Sequence, residues 1–538
     1  MNAGPETGRL TLGRVIGVDY RLATVIPAAF VAIWVAAIPA AGWAGHLSVT
    51  AAATAVIGIG VITVNGFTVP QWCRLRAAVA LGRPRGRAAG EEPAAAATAV
   101  VAGQEVGVIW DGGQLICALN LHGHPHVPHW LVQRRVETTA TVPLDALDAA
   151  LDQLGAGRPC SVDLVLDGNG LTRTGYAGIY DTQLSGRPVT ADRTTVLIAR
   201  FSPRHAITYY AARTSLSAAA ATSLSRIAAT LAAAGCPCTP LRAPELDELA
   251  ARSRTRGPQH WNHLTGAGDS GAQTDTIYSI DPAALRDHRF RELWAIRTDS
   301  VMATLRRDAG GWSGFARVRG PRPPASPPLP FLKSLPGQQG AAARIGRPVA
   351  DTAPVTTIYQ PVARPADLHP PAGPDGQVLG MTDVGELLLV PLVPSQERVI
   401  AARVDAIYAE QLIRRAEATG ALVTIITTRE HRWTPLTGPR IRTAVPGAEL
   451  AIGPAHLHIY DGLPAPSVPE TATLELIALD GPAPEGDMTF DQRGDIITIS
   501  SGPTTITVRA VITPAERPHL PSLTQQRRRG DRELVGAR

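Results

Sequence analysis

The chain has 538 residues, of which 45% are hydrophobic and 18% charged, and its formal net charge is +5 at pH 7. This length predicts two or three domains, and this composition excludes an intrinsically disordered protein. The charge is mild for the length, and no basic stretch with interleaved aromatic residues indicates a nucleic-acid-binding protein.

The N-terminal part contains a long segment without charge. No Asp, Glu, Lys or Arg occurs in residues 22–73. Because a membrane-spanning helix needs about 20 apolar residues, region 22–70 is predicted to hold two transmembrane helices, at about 22–40 and 47–69. Two other interpretations remain open: a cleaved signal peptide ending near 41–44, and a buried helical hairpin in a soluble protein.

Arginines flank this segment on both sides. Arg9, Arg14 and Arg21 precede it, and five arginines fall in 74–87. The positive-inside rule therefore predicts a multi-pass protein of the cell (inner) membrane, with both termini and the main body in the cytoplasm. An odd count of five cysteines agrees with a reducing compartment.

The remaining chain divides by composition and pattern. Segment 1–21 is predicted to be cytoplasmic, and the Ala-, Gly-, Arg- and Pro-rich stretch 71–97 is predicted to be a basic juxtamembrane linker. Two cytoplasmic α/β domains follow, at 98–345 and 346–513. The tail 514–538 is polar and basic, and we expect it to be disordered.

The first domain alternates strand and helix patterns, which indicates an α/β (α+β) fold. Segments 106–119 predict a β-hairpin with an Asp-Gly-Gly turn. Helices are predicted at 144–154, 215–234 and 246–252, and strands at 161–166 and 195–201. Segment 257–275 reads as a polar loop, and 320–330 as a stiff proline-rich segment.

The second domain is predicted to be richer in strands. A helix is expected at 399–419, closed by Gly420. Strands are expected at 385–390, 422–426, 449–452, 457–460, 474–479, 496–499 and 505–512.

Motifs that carry common chemistry are missing from the sequence. The only lysine, Lys333, lacks the glycines of a P-loop, so an ATPase of that type is excluded. No dinucleotide fingerprint, nucleophile elbow or zinc-protease motif occurs. We therefore predict no catalytic residue, no cofactor-binding residue and no metal ligand.

A histidine cluster leaves one alternative open. Alternating histidines on an extended chain are able to bind zinc, and four occur in 122–129: His122, His124, His126 and His129. No Cys, Asp or Glu lies among them, and two prolines constrain the backbone. A solvated loop after the first hairpin is the simpler interpretation. The aspartates at 163, 167, 181 and 192 need no catalytic role.

Several passages, taken in order, resemble the EccE family of the actinobacterial type VII (ESX) secretion system. These passages cover most of residues 10–250 and 375–440. The resemblance rests on their order along the chain, because none of them is a chemically specific motif. They are the N-terminal hairpin with its arginine-rich linker, 106–113, 193–200, the alanine-rich helix ending at Gly235, 411–416, 419–429 and Trp433.

The resemblance implies a non-catalytic structural subunit of the inner-membrane secretion complex, which supports assembly and stability of the export machinery. The partners that it implies are membrane lipid, an FtsK/SpoIIIE-type ATPase, a multi-spanning channel-like subunit, a periplasm-facing subunit and a subtilisin-like protease. Two alternatives stay open from the residues alone: a membrane-tethered, transferase-like α/β enzyme at the inner leaflet, and a metal-responsive regulator that uses the histidine cluster.

Overall fold

The structure is a computed structural model, and it describes residues 9–12, 16–19, 62–64, 67–81 and most of 94–524. Within the last range, the residues not described are 123–126, 133–134, 172–174, 185–189, 191, 212, 214, 255–256, 269–270, 352–354, 366, 394–398 and 454. The described body is a mixed α/β structure, as the sequence predicts.

A small antiparallel sheet lies at the N-terminus, with the order β1-β2-β3-β4. Its strands are β1 Arg9–Leu12, β2 Ile16–Asp19, β3 Ile62–Val64 and β4 Phe67–Thr68. Strand β2 precedes the long uncharged segment and pairs with β3, which lies inside that segment, with Gly17 opposite Thr63. The two ends of segment 20–61 are therefore neighbours.

This small sheet corrects one end of the predicted membrane region. The predicted helix 22–40, and 47–61 of the second helix, lie outside the described residues. Positions 62–64 and 67–68, predicted to be helical, are strands. The reason is local, because Ile62-Thr63-Val64 is β-branched throughout and Asn65-Gly66 is a hairpin-turn sequence.

The first α-helix, α1 Val69–Ala80, replaces the start of the predicted linker 71–97. Pro70 stands in its first turn, where proline fits a helix, and Gln71 accepts a hydrogen bond from the Thr68 backbone N–H at 3.0 Å. Leu75 is only 1% exposed. The helix therefore packs against the body instead of serving as a loose connection.

The first large sheet, called sheet I, has 11 strands among the described residues. Its main path runs β13-β14-β16-β15-β10-β11-β7-β6-β5, with β12 beside β7 and β17 beside β14. The strands are β5 Ala97–Val101, β6 Gln104–Asp111, β7 Gln114–Leu121, β10 Ser161–Asn169, β11 Asp192–Phe201, β12 Cys238–Pro240, β13 Leu264–Gly268, β14 Gly271–Ile280, β15 Ser300–Asp308, β16 Gly311–Gly320 and β17 Leu332–Ser334.

Helices cover sheet I and close its core. They are α2 Leu144–Gln153, α4 Ile207–Ala211, α5 Leu216–Ala233, α6 Ala243–Arg252, α7 Asp287–Phe290 and α8 Gln339–Ala342. Helix α3 Gly175–Gln183 follows β10 in the chain but packs with Leu131, Val378 and Leu389, which belong to the second large sheet. Among described helices, α5 alone has the length and apolar composition to cross a membrane. However, Leu224, Ile227 and Leu231 on α5 are fully buried in the sheet I core, where the sequence places this helix.

The second large sheet, called sheet II, has 12 described strands in the order β22-β21-β23-β24-β20-β25-β26-β27-β18-β19-β8-β9. Strands β20 to β25 form a parallel set, and β25, β26 and β27 form an antiparallel meander. The strands are β8 His129–Val132, β9 Arg135–Glu137, β18 Gln377–Met381, β19 Leu387–Val390, β20 Val399–Arg403, β21 Leu422–Ile426, β22 Ile441–Ala444, β23 His456–Asp461, β24 Ala472–Ile477, β25 Met488–Arg493, β26 Ile496–Ser501 and β27 Thr504–Arg509.

Helices α9 Ala406–Ala418 and α10 Glu430–Trp433 accompany sheet II. The predicted helix 399–419 is therefore wrong in its first third, because 399–403 is strand β20. Asp405 marks the true start of α9, since its side chain accepts a hydrogen bond from the Tyr408 backbone N–H at 2.7 Å.

Three further predictions are corrected by the structure. Segment 257–275, expected to be a loop, contains β13 and the start of β14. The backbone hydrogen bonds between these two strands stabilise them although their side chains are largely polar or small. Segment 449–452, expected to be a strand, has no strand pairing and is largely exposed. Residues 514–524, expected to be part of a disordered tail, are folded against α9, and Glu516 is fully buried there.

Strands β8 and β9 cross between the two sheets. They lie within the predicted first domain, 98–345, yet Leu131 of β8 pairs with Leu387 of β19 in sheet II. The chain thus leaves sheet I after β7, adds two strands to sheet II, and returns to sheet I at β10. Sheets I and II are consequently tied together by the backbone as well as by side chains.

Candidate functional site

The predicted histidine cluster lies on the crossover from sheet I to sheet II. His122 follows β7, and its Nε2 lies 2.8 Å from Thr239 Oγ1. His129 begins β8 and is 2% exposed. His124 and His126 lie outside the described residues. Within the described ranges, no group of three or more His, Cys, Asp or Glu side chains is placed to hold a metal.

Both described histidines are held as neutral side chains. Burial lowers the pKa of His122 below its ordinary value. Burial lowers the pKa of His129 to about 4, although the nearby Asp375 carboxylate acts in the opposite direction. His129 Nδ1 lies 3.8 Å from Asp375 Oδ1. His129 is therefore a neutral, buried side chain of the crossover, and His122 is neutral beside Thr239.

Asp375 joins this crossover to sheet I. Its Oδ1 accepts a hydrogen bond from Arg193 Nη2 at 2.8 Å, and its Oδ2 accepts one from the Thr190 backbone N–H at 2.8 Å. Arg193 Nε also donates to the Gly373 carbonyl at 2.7 Å. Arg193 is on β11, and Asp375 lies two residues before β18. This group, called the Asp375 latch, links the two sheets beside His129.

A second buried network lies within sheet I around Asp163. Its carboxylate accepts hydrogen bonds from Arg306 Nε at 2.7 Å and the Gly346 backbone N–H at 2.9 Å, and pairs with Arg200 Nη2 at 2.8 Å. Burial by itself would raise the pKa of Asp163, but the guanidinium groups of Arg200 and Arg306 outweigh it and hold that pKa below its ordinary value. Arg200 also donates to the carbonyls of Arg347 and Val349, which anchors the segment after α8.

A third network attaches the C-terminal segment to α3 and α9. Glu516 accepts hydrogen bonds from Tyr176 Oη at 2.6 Å and Gln411 Nε2 at 2.9 Å, and lies 3.2 Å from Arg415 Nε. Burial would raise the pKa of Glu516, but Arg415 and the hydrogen bonds bring it below its ordinary value. Tyr176 is on α3, whereas Gln411 and Arg415 are on α9.

A fourth network lies at the carboxyl end of the parallel strands of sheet II, the usual place for a ligand in α/β proteins. Asp461 accepts hydrogen bonds from Thr427 Oγ1 and Trp433 Nε1, both at 2.8 Å, and from Arg429 Nη2 at 2.6 Å. Arg432 Nη1 lies 3.2 Å away. The carboxylate is thus occupied by protein donors.

These four networks share one chemical property. Each buried carboxylate accepts hydrogen bonds from an arginine side chain and from neutral donors. For Asp163 and Glu516 this stabilises the charged form and lowers the pKa. A general acid needs the opposite arrangement, in which burial without a cation keeps a proton on the carboxyl group. Of the other aspartates noted in the sequence, Asp181 is exposed on α3, and Asp192 accepts from Asn169 Nδ2 at 3.4 Å.

Two cavities bordered by described residues differ in size and enclosure. One of about 130 Å³ lies between the sheets, bordered by Asp192, Arg252 and Gln377. This volume is small for a typical ligand pocket. A second of about 730 Å³ is an open depression beside the proline-rich segment, with Arg297 and Arg322 at its edge.

Helix α1 makes a defined contact with the body. The Trp72 and Trp261 rings are 5.3 Å apart, and the Arg76 guanidinium lies 4.4 Å from the Trp261 ring centre. The Gly337 backbone N–H donates to the Trp261 carbonyl at 2.7 Å. An added Cβ at Gly337 would lie 3.2 Å from Leu75, so the fit is close.

Sequence reasoning did not find these contacts, because their partners are far apart in the chain. Arg193 and Asp375 are separated by 182 positions, and Arg415 and Glu516 by 101. A partial signal was present, since Arg193 and Arg200 border an apolar run that predicts a buried strand. Arginine at the ends of such a strand indicates a buried carboxylate partner, but not which one.

Comparison with known proteins gives two results. Residues 189–274 match the model of a family described as "Putative type VII ESX secretion system translocon, EccE". The chain is also 27% identical over 428 residues to ESX-2 secretion system protein EccE2 of Mycobacterium tuberculosis, which covers 76% of each chain. The family match spans β11, α5 and the Arg193 and Arg200 side chains, so the networks of sheet I lie partly within it.

Proposed function

Because the chain belongs to the EccE family of type VII ESX secretion proteins, we propose that it is a non-catalytic structural subunit of a type VII secretion membrane complex. The observation that carries this proposal is the 27% identity over 76% of the chain to the ESX-2 secretion protein. Its role would be to support assembly and stability of the export machinery.

The geometry of the body agrees with a scaffold. Sheets I and II share the β8–β9 crossover and the Asp375 latch, so a force on one sheet is transmitted to the other. The Glu516 network holds the C-terminal segment on α3 and α9. The buried carboxylates hold arginines in fixed positions. Such networks are costly to desolvate and provide specific geometry when every partner is satisfied.

We also propose the membrane arrangement of this chain. Segment 20–61 holds two transmembrane helices that leave the small N-terminal sheet at β2 and return to it at β3. Support comes from the antiparallel pairing of β2 with β3, since an even number of spans must return the chain to the side from which it left. Both termini and the body then lie in the cytoplasm, as the flanking arginines favour.

The domain organisation is part of the same proposal. Segments 98–345 and 346–513 would be two cytoplasmic domains built around sheets I and II. The β8–β9 exchange supports a body in which these two domains move together. The proposed partners are the FtsK/SpoIIIE-type ATPase, the channel-like subunit, the periplasm-facing subunit and the subtilisin-like protease of the same secretion system.

Purification in a mild detergent tests the proposal. The full-length chain, tagged at its C-terminus in its own host, is expected to be recovered together with the ATPase and the multi-spanning subunit. Recovery only as a free chain would contradict the proposal. A matched control is the same tag on an unrelated two-span membrane protein, which must not recover these partners.

Gene deletion supplies the functional test. A strain without this chain is expected to lose export of the small helical-hairpin substrates of that system, and the wild-type gene is expected to restore it. Unchanged export in the deletion strain would overturn the structural role. Export through a second ESX system in the same cell serves as the control for general damage to the membrane.

A further inference from the structure

We infer that the outward face of α1 is a surface that binds the anionic headgroups of membrane lipids and sets the orientation of the body against the bilayer. The inference rests on the membrane anchorage proposed above. It adds a specific lipid class, a specific helix face and the side of the body that faces the membrane.

Helix α1 has two distinct faces. One face contacts the body through Trp72, Leu75 and Arg76, which follow one another at helical spacing. The opposite face carries Cys73, Arg74, Ala77 and Leu81, all of them exposed. Leu81, just after the helix, is 65% exposed. A docked helix therefore presents an apolar and basic face that the described residues leave uncovered.

The sequence that contains α1 carries charge of a single sign, and Arg74 is the arginine on this face among the described residues. No Asp or Glu occurs in residues 21–90, whereas five arginines fall in 74–87. Clustered arginines next to a membrane segment are attracted to anionic lipids, each by about 1 kcal/mol, which corresponds to about fivefold in binding. Charge complementarity thus favours an anionic headgroup over a neutral one.

The position of α1 in the sequence indicates how deep its outward face lies in the bilayer. The uncharged segment extends to Cys73, so the first turn of α1 belongs to it and the rest of the helix belongs to the arginine-rich stretch. A helix at such a boundary lies in the headgroup region, where leucine inserts and arginine extends toward phosphate. A lipid surface needs no shaped groove, and this convex face offers none.

The docking of α1 on Trp261 then orients the body. Because the Trp261 ring packs against Trp72 and the Trp261 carbonyl accepts a hydrogen bond from the Gly337 N–H, Trp261 and Gly337 lie beneath the helix. This side of sheet I faces the membrane, and sheet II, reached through the crossover, is carried with it.

A nitroxide spin label on Cys73 tests the inference in the full-length chain. Cys117 and Cys236 are fully buried, and Cys160 and Cys238 are replaced by serine, so the label reports from α1. The chain is reconstituted into nanodiscs of phosphatidylcholine, with or without one third phosphatidylglycerol. Collisions with oxygen report lipid, and collisions with a nickel chelate report water.

In discs with phosphatidylglycerol, we expect the label to collide mainly with oxygen. In phosphatidylcholine alone, or after Arg74→Glu, we expect the ratio of lipid-exposed to water-exposed label to fall by about fivefold or more. Arg493→Glu is the matched control, since this side chain is 84% exposed at the end of β25, and it must leave the ratio unchanged.

A label that collides mainly with nickel in both kinds of disc would overturn the inference, as would a ratio that Arg74→Glu does not change. Failure of the proposed function is a different result, namely a chain that is recovered without membrane or without secretion partners. A membrane-bound, partner-bound chain with Cys73 in water would remove only the lipid-binding face.

Discussion

Arginine is the residue that this fold uses to organise its interior. Arg193, Arg200, Arg347 and Arg415 are among its largest fully buried side chains. Arginine suits this task because its planar guanidinium group donates several hydrogen bonds in fixed directions and remains charged when buried. Arg200 shows the effect, since it binds one carboxylate and two backbone carbonyls at the same time.

Asp163→Asn is expected to destabilise the folded chain by about 3 kcal/mol, because it removes the buried counter-charge that Arg200 and Arg306 share and leaves them only the partly exposed Asp351. The measurement is the urea midpoint, followed by tryptophan fluorescence on the full-length chain in detergent. Asp495→Asn is the control, since Asp495 pairs with Arg509 on the surface and such pairs contribute about 1 kcal/mol or less. If both substitutions shift the urea midpoint equally, the Asp163 network does not contribute specifically to the stability of the fold.

His129 gives the chain a pH dependence in a defined window. Its pKa is about 4 in the folded chain, against an ordinary value of 6.5, so between these values the unfolded chain binds a proton that the folded chain does not. The contribution of His129 to the free energy of unfolding is fully present above pH 6.5. It decreases as the pH falls toward 4, by about 3 kcal/mol in total. His129→Leu is expected to flatten that part of the stability profile, whereas His369→Gln, at an exposed site, leaves it intact. A profile for His129→Leu that parallels the wild type would exclude His129 as the cause.

Gly107 shows how a backbone contact restricts a strand position. An added Cβ there would lie 2.8 Å from the backbone carbonyl of Arg242, and the Gly107 N–H donates to the Leu241 carbonyl at 2.7 Å. Gly107→Ala is expected to lower the free energy of unfolding by about 1–3 kcal/mol through overpacking. Gly178→Ala is the control, because nothing lies within 4 Å of its Cβ position inside α3, and there alanine should stabilise by about 0.5–1 kcal/mol. If the thermal midpoints of both variants shift in the same direction, this explanation is contradicted.

At the scale of elements, the sequence predicts those whose signal is local. The 106–119 hairpin, α2, α5 and β21 lie where apolar periodicity and glycine positions place them, and Gly235 after α5 has a φ of +83°. Elements without a local signal were missed or misassigned. Strand β20 has an apolar, alanine-rich composition that also suits a helix. Its secondary structure is determined by its position between parallel strands of sheet II.

Strand β8 provides a test of the crossover as an element. Leu131 is 1% exposed and packs between Tyr180 of α3 and the strands β18 and β19. Leu131→Ala is expected to cost about 2–5 kcal/mol, because it leaves a cavity between α3 and sheet II. Val384→Ala, close to β19 in sequence but 74% exposed, should change stability by less than about 0.5 kcal/mol. Protease sensitivity between β7 and β10 should rise in the first variant only, and a similar rise in both would argue against a buried β8.

At the scale of the whole molecule, the arrangement of the sheets could not be predicted from the chain. Division by composition assigns 98–345 to one domain, but β8 and β9 are strands of sheet II. No rule of periodicity identifies the partner of an edge strand, because any apolar alternating strand is able to pair with many others. The four buried networks could not be predicted for the same reason, since each depends on side chains brought together from distant segments.

The small N-terminal sheet makes the last prediction possible, since β2 and β3 hold the ends of segment 20–61 side by side. Replacing 20–61 with a short Asn-Gly turn should join these strands directly and leave the sheets of the body intact. If this segment is the membrane anchor, the shortened chain is expected to leave the membrane fraction after salt washing, while full-length chain remains there. Circular dichroism and the urea midpoint of the shortened chain check that the body is folded. A folded, shortened chain that still resists both salt and carbonate extraction would place the anchor elsewhere, and α5 would then be the segment to examine, as it alone among the described helices has the length and composition to span a bilayer.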